Sequence, residues 1–331
     1  MKKIFSILLL AGLLTACGSS ESSLFRKAKR LTRKGEYAQA VSVYSTIIKK
    51  NPQNYSAYAE RGLLYEQLKA KDSKELKQYK RMAAKDYQKA ISLSPNHAEI
   101  LNNLAALYID EGNYMEAMFL LDRAISLQPD YVLALLNRAV VYSKAENYNQ
   151  ALVDFYRAER LEPQSPLLFL NRGLLKYAAK SYPSAIDDFT SLIELEPDNA
   201  RAYMERGRTF IKMGYFQDAL DDFEMAIELK PYYAMAYFYA AELLFNLGDT
   251  EVALKYAQRA ASLAPAYAPA FEMLGDMYAL ESPVEATRNY LVARKLDPEN
   301  SRHYQYKIQM MKSENTRKRV VYDRFANLDK K

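Results

Sequence analysis

The sequence predicts an all-α chain: eight helical hairpins in succession, closed by one further helix. Three observations predict it. Proline recurs at Pro52, Pro95, Pro129, Pro163, Pro197, Pro231, Pro265 and Pro298, mostly 34 residues apart, and self-similarity at such a fixed period marks a repeat architecture. Twelve residues before each proline stands an alanine: Ala40, Ala83, Ala117, Ala151, Ala185, Ala219, Ala253 and Ala286. Composition agrees, because ten Gly and twelve Pro in 331 residues are few while Ala, Leu, Tyr and Lys are plentiful, a bias toward helix.

Residues 1–16 stand outside this pattern. Lys2 and Lys3 precede an apolar stretch too short to span a bilayer and of signal-peptide length. It closes on Leu14-Thr15-Ala16-Cys17, which resembles the lipobox of bacterial lipoproteins. The resemblance implies removal of residues 1–16 and acylation of Cys17, with residues 17–20 as the lipidated N-terminus and short linker. Gly18, where an inner-membrane protein of enteric type would carry Asp, implies the periplasmic face of the outer membrane. Cys17 is the only cysteine, so the chain has neither an internal disulfide nor a thiolate metal site. Two or more acyl chains anchor stably without a spanning helix.

Within each unit a small residue recurs near the start: Ala28, Gly62, Ala105, Ala139, Gly173, Gly207, Ala241 and Gly275. Two helix axes approach closely only at small side chains, and large apolar residues such as Leu101, Leu121, Tyr203 and Phe223 fill the space between. Each unit therefore reads as helix A, a turn often marked by glycine (Gly35, Gly112, Gly214, Gly248), and helix B stopped by its proline. This pattern resembles the tetratricopeptide repeat. The units fall at 21–54, 55–97, 98–131, 132–165, 166–199, 200–233, 234–267 and 268–300, with a capping helix at 301–315 and a basic tail at 316–331. The resemblance implies a right-handed α-solenoid with convex and concave faces.

Two units depart from the period. The second has nine extra residues around Lys69–Met82, a stretch with six basic residues against Asp72 and Glu75, expected to lengthen helix B and project from the array. The eighth lacks one residue near Glu281-Ser282-Pro283, which tightens its turn. The tail is expected to be solvated, with Tyr322 and Phe325 as possible docking aromatics.

Catalysis finds little support. The two histidines, His97 and His303, lie apart in sequence, and no glycine-rich phosphate loop or metal-ligand spacing occurs. The chain reads as a non-enzyme needing no cofactor or metal. A net charge of +6, with 26% charged residues of both signs, reads as a mixed, mildly basic surface and not one for nucleic acid.

Four units carry arginine at their seventh position, Arg61, Arg138, Arg172 and Arg206. The same four carry Asp86, Asp154, Asp188 and Asp222, each nine before its proline. Units lacking one lack the other, which predicts structural ion pairs between helices A and B.

In the family this chain resembles, helix A lines a concave peptide groove. Mapped here, that face carries Asn103, Asn137 and Asn171 at equivalent positions. They resemble the asparagine ladder of O-linked N-acetylglucosamine transferase, which suits a peptide backbone because asparagine both donates and accepts. Bonding between neighbouring helices is the competing reading. Around them lie Leu133, Leu136, Val140, Leu167, Leu170, Leu174 and Tyr177, then Met204, Phe238, Tyr239 and Phe245, an apolar face that binds a partner or packs between A helices. The resemblance thus implies a protein-binding scaffold at a membrane, recognising protein or peptide segments with apolar anchors, in assembly of an envelope machine (pilus or secretion) or recruitment of peptidoglycan enzymes. A self-assembling envelope protein acting through homo-oligomer contacts is the alternative.

Overall fold

A computed structural model describes residues 21–313, 316–318 and 320, which are helical with no strand among them. Cys17 and the leader, as well as Tyr322 and Phe325, lie outside the described residues. The chain divides into two compact units, one through Pro163 and one from Gln164.

The first unit pairs α1 (residues 21–33) with α2 (Tyr37–Lys50), and α3 (Tyr55–Gln67) with α4 (Ser73–Leu93). It continues with α5 (Ala98–Asp110) and α6 (Tyr114–Leu127), then α7 (Val132–Lys144) and α8 (Tyr148–Leu161). The second pairs α9 (Pro166–Ala178) with α10 (Tyr182–Leu195) and α11 (Ala200–Met213) with α12 (Phe216–Leu229). It closes with α13 (Ala234–Leu247) and α14 (Thr250–Leu263), α15 (Ala268–Tyr278) and α16 (Pro283–Leu296), and α17 (Ser301–Met310). Consecutive helices thus form eight hairpins plus one closing helix.

Every helix B ends two residues before its proline, because the proline ring bars the preceding residue from helical conformation. Gln128, Glu162, Glu196 and Lys230 accordingly adopt φ near −135° with positive ψ. In six of the eight hairpins the A–B turn holds one left-handed residue. Gly35, Gly112, Gly214 and Gly248 supply it with φ of 74–93°, while Glu146 and Lys180 hold the same position at 59° and 61° without that freedom. In each turn the next amide reaches back five residues, as Asn113 N does to Tyr108 O (2.8 Å) and Tyr215 N to Phe210 O (3.0 Å), which satisfies carbonyls left open at a helix end.

The small residue of helix A faces the residue four after the recurring alanine of helix B. At Gly62, Gly173, Gly207 and Gly275 the facing side chain is a buried ring, Tyr87, Phe189, Phe223 and Tyr290 respectively. A Cβ on Gly173 would lie 2.6 Å from Cε1 of Phe189, which is fully buried and cannot swing aside. Gly173→Ala is expected to destabilise by about 1–2 kcal/mol, overpacking outweighing the gain in helix propensity. A urea midpoint equal to or above that of the parent would contradict this.

The insertion gives α4 21 residues, against 14 in α2, α6 and α8. Asp72 caps its start by accepting from Glu75 N at 2.8 Å. The C-terminal expectation is corrected in two respects. The closing helix stops at Met310 instead of 315, and the segment read as solvated tail begins with a helical stretch at 316–318 and 320. The cause is apolar: Val320 is buried with Met311 against Ala279, Ala286 and Tyr290, and Thr316 Oγ1 donates to Ser313 O at 2.9 Å.

Candidate binding surfaces on the A helices

The seventh-position arginines meet the aspartates of their own hairpins. Arg61 Nε and Nη2 each lie 2.7 Å from Asp86, Arg138 lies 2.8 and 2.9 Å from Asp154, and Arg206 lies 2.9 and 2.8 Å from Asp222. Arg172 Nη2 reaches Asp188 at 2.8 Å, joined by Lys176 Nζ at 2.9 Å. Such two-pronged contacts fix a planar guanidinium. Each arginine also lies over aromatic side chains of its own helix, as Arg206 does over Tyr203 and Phe210, both at 5.7 Å.

Sequence reasoning missed a further bond. Nη1 of three of these arginines reaches back to helix B of the preceding repeat, at Ser45 (3.0 Å), Asp122 (2.8 Å) and Thr190 (3.1 Å). All three acceptors stand five residues after their recurring alanine, a signal open to inspection once the arginine is assigned. One side chain thereby ties a hairpin together and ties it to its neighbour.

In the first unit α3 and α5 border an open cleft of about 480 Å³. Glu60, Leu63, Glu99 and Asn103 line it, with Tyr55 and His97 stacked at 4.5 Å between centroids. Asn103 is half-buried there. Asn137 is engaged elsewhere: its Nδ2 donates to Oδ1 of Asn102 at 2.8 Å, across from α7 to α5. Asn102, 3% exposed, was not anticipated, yet a buried amide demands such a partner. Beside it burial raises the pKa of Tyr131, the charge of Glu99 adding and a hydrogen bond with Asn102 opposing.

The apolar face is only partly open. Leu133 and Leu167 are 43% and 50% exposed, and Asn171, Val140, Leu170, Leu174, Tyr177 and Tyr239 are half-buried. Leu136, Met204, Phe238 and Phe245 are buried and belong to packing, which corrects their reading as exposed groove surface. Phe238 and Phe245 pack with α14 and α15, and Met204 with Ala236, Ala240 and Leu243 of α13, because consecutive A helices are themselves in contact.

In the second unit the A helices α9, α11 and α13 converge on Arg208. Its guanidinium lies between the rings of Tyr177 (5.1 Å) and Tyr239 (4.9 Å), and Nη1 donates to Glu205 at 2.6 Å. Arg201 stands 3.9 Å from the same carboxylate. Burial raises the phenols of Tyr177, Tyr233 and Tyr239, and pushes Tyr267 up to about 12. All four stay protonated donors at neutral pH. Phe238 meets Tyr239 and Tyr267 edge-on at 5.4 and 5.2 Å. The cluster offers aromatic surface beside a held cation, suited to an apolar residue next to a carboxylate or carbonyl.

Among the described residues no group of His, Cys, Asp and Glu is placed to hold a metal ion, and no helix is long and apolar enough to cross a membrane.

One family profile, described as Tetratricopeptide repeat, matches residues 25–84, 107–166, 170–234 and 205–268, more than half of the chain, and a second of the same description matches 86–119. No curated protein matches the sequence. Among solved structures the chain is similar to a tetratricopeptide repeat protein from Parabacteroides merdae, with TM-score 0.63 and 22% identity over 77% of this chain and 98% of that one. It is similar to a chain of the APC/C hetero-tetramer Cut9–Hcn1, with TM-score 0.63 and 17% identity over 89% of this chain and 57% of the other. It is also similar to pilF of Pseudomonas aeruginosa, with TM-score 0.55 and 19% identity over 64% and 97%. At these identities the likeness is one of fold.

Proposed function

Because the chain belongs to the tetratricopeptide repeat family, whose helical hairpins are scaffolds for protein partners, we propose that it holds peptide segments of other proteins on its helix A faces while anchored to a membrane. The observation that carries this reading is the composition of those faces. In the second unit, exposed Leu167, half-open Leu170 and Leu174, and the Tyr177–Arg208–Tyr239 stack combine apolar anchor sites with a fixed polar group. Binding grooves need that pairing, area for affinity and a few oriented polar groups for register. Asn103 in the 480 Å³ cleft adds a donor and an acceptor for main-chain amides.

The anchor is the lipid on Cys17, and the site of action is the periplasmic face of the outer membrane, where the protein serves envelope-machine assembly or recruitment of peptidoglycan enzymes. Repeats of this family are generally non-enzymatic, and the chain is read as binding without turnover.

Photo-reactive residues at Asn103, Leu133 and Leu167, in cells carrying Cys17 or Cys17→Ser, test both parts. A dominant adduct that is lost on Leu167→Asp, in protein that fractionates with membranes only when Cys17 is intact, is the expected result. Adducts insensitive to that substitution would reject the groove. Membrane association of Cys17→Ser equal to the parent would reject the lipid anchor.

A further inference from the structure

The net charge of +6 conceals a strong separation. Residues 21–93, the first two hairpins, carry 17 Lys and Arg against 7 Asp and Glu, whereas residues 94–300 carry 18 against 30. The positive excess is concentrated on two helices. In α1 and the turn after it the side chains of Arg26, Lys27, Lys29, Arg30, Arg33 and Lys34 are all exposed, and among the described residues only Lys29 of these approaches a carboxylate, Glu60 at 3.9 Å.

On α4, Lys74, Lys77, Arg81, Lys85 and Lys89 are exposed. Their spacing of three or four residues stacks them along one face. That face lies opposite the buried Ala83, Asp86, Tyr87 and Ala90. No carboxylate partners any of the five among the described residues. The acids of this helix are committed elsewhere: Asp72 to the N-cap, Glu75 to Tyr79 Oη at 2.8 Å, and Asp86 to Arg61. The row from Lys74 to Lys89 is about 22 Å long at the helical rise, and it needs the extra turns that the insertion supplies.

We infer that the outward basic face of α4 rests on an anionic lipid surface. Long and regular, the row fits a plane of headgroups better than it fits a shaped protein partner. The chain's own acidic surface is a poorer match: on α12 the exposed acids are Asp218, Asp221, Glu224 and Glu228, a row of about 15 Å. Residues 1–20 precede the first hairpin in the chain, and α2 packs on α3 and α3 on α4, so the anchor proposed above would keep the row near the bilayer. The charge argument stands without that anchor.

The test uses unlipidated protein from residue 17 onward with Cys17→Ser, which retains the whole described fold and separates this inference from lipidation. It is sedimented with vesicles of phosphatidylcholine alone or with 30% phosphatidylglycerol. Binding is expected only to the anionic vesicles and is expected to vanish in ~0.5 M salt, where screening acts within a few ångströms. Each cation near an anionic surface contributes roughly fivefold in partitioning. The quintuple variant K74Q/K77Q/R81Q/K85Q/K89Q, confined to exposed side chains, should therefore bind at least about a thousandfold more weakly with unchanged helicity. Equal binding to neutral vesicles, no binding to anionic ones, or full binding by the quintuple variant would overturn the inference. So would a concentration-dependent mass that the variant abolishes, which would instead assign the row to a second copy of the chain.

Discussion

Replacing Asp188 with alanine is expected to destabilise the α9–α10 hairpin by about 3–5 kcal/mol, the range for stranding one member of a buried ion pair. The Arg172 and Asp188 side chains are only 8% and 4% exposed, the most enclosed of the four arginine pairs. Removing the carboxylate takes away the acceptor that Arg172 and Lys176 share. Asp154→Ala should cost about half as much, because Arg138 is more exposed and keeps Asp122 as a second acceptor. The double variant Arg172→Met with Asp188→Leu should recover most of the loss, since it removes both desolvated charges together. Hydrogen exchange of the α9 and α10 amides reads the local effect, because stability in a repeat array is a sum over neighbouring units. A loss below 1 kcal/mol for Asp188→Ala would mean that water already reaches the pair.

The fold was legible because repetition turns one weak signal into eight. Pro163 alone says little, but a proline and an alanine twelve residues apart, eight times over, fix helix B and its end. The A–B turn was partly hidden: Gly112 and Gly214 announce a left-handed residue, whereas Glu146 and Lys180 occupy the same conformation without announcing it. Position in the repeat locates them where residue type does not.

The candidate site was less legible, because which face a residue occupies depends on packing between neighbouring A helices. Leu133 and Leu136 look alike in sequence, yet one is exposed and the other buried. Asn137 sits at a groove position but spends its amide on Asn102. The three-residue spacing of Glu205 and Arg208 points to a pair within one helix, and that pair forms. The place of Arg208 between Tyr177 and Tyr239 joins three repeats, a relation that spacing within one helix does not reveal. Whole-chain charge misled in the same way, since an average over segments of opposite charge reads as a mixed surface.

Lys307→Met is the second substitution expected to act strongly, at the C-terminal cap. From α17, Lys307 Nζ reaches Glu272 at 2.6 Å and both oxygens of Asp276 at 2.8 and 3.0 Å. Asp276, 1% exposed, also accepts from Tyr290 Oη at 2.7 Å. Burial opposes ionisation of Glu272, but the hydrogen bond from His303, with the charge and hydrogen bond of Lys307, holds its carboxyl down at about 2. A carboxyl depressed in the folded state stabilises above its unfolded pKa, and that contribution is lost as pH falls through the folded value. The parent cap should therefore be insensitive to pH above about 4.5 and loosen toward pH 2. In Lys307→Met the buried Asp276 and the half-buried Glu272 lose this cation, at a cost of about 3 kcal/mol near neutrality. Protonating Glu272 relieves part of that cost, so the variant's cap should become more stable as pH drops from 7 to 4, a range over which the parent is flat. Hydrogen-exchange protection of the α17 amides, referenced to α13 at each pH, measures it. Parallel pH profiles for the two proteins would show that Lys307 does not hold the acidic pair.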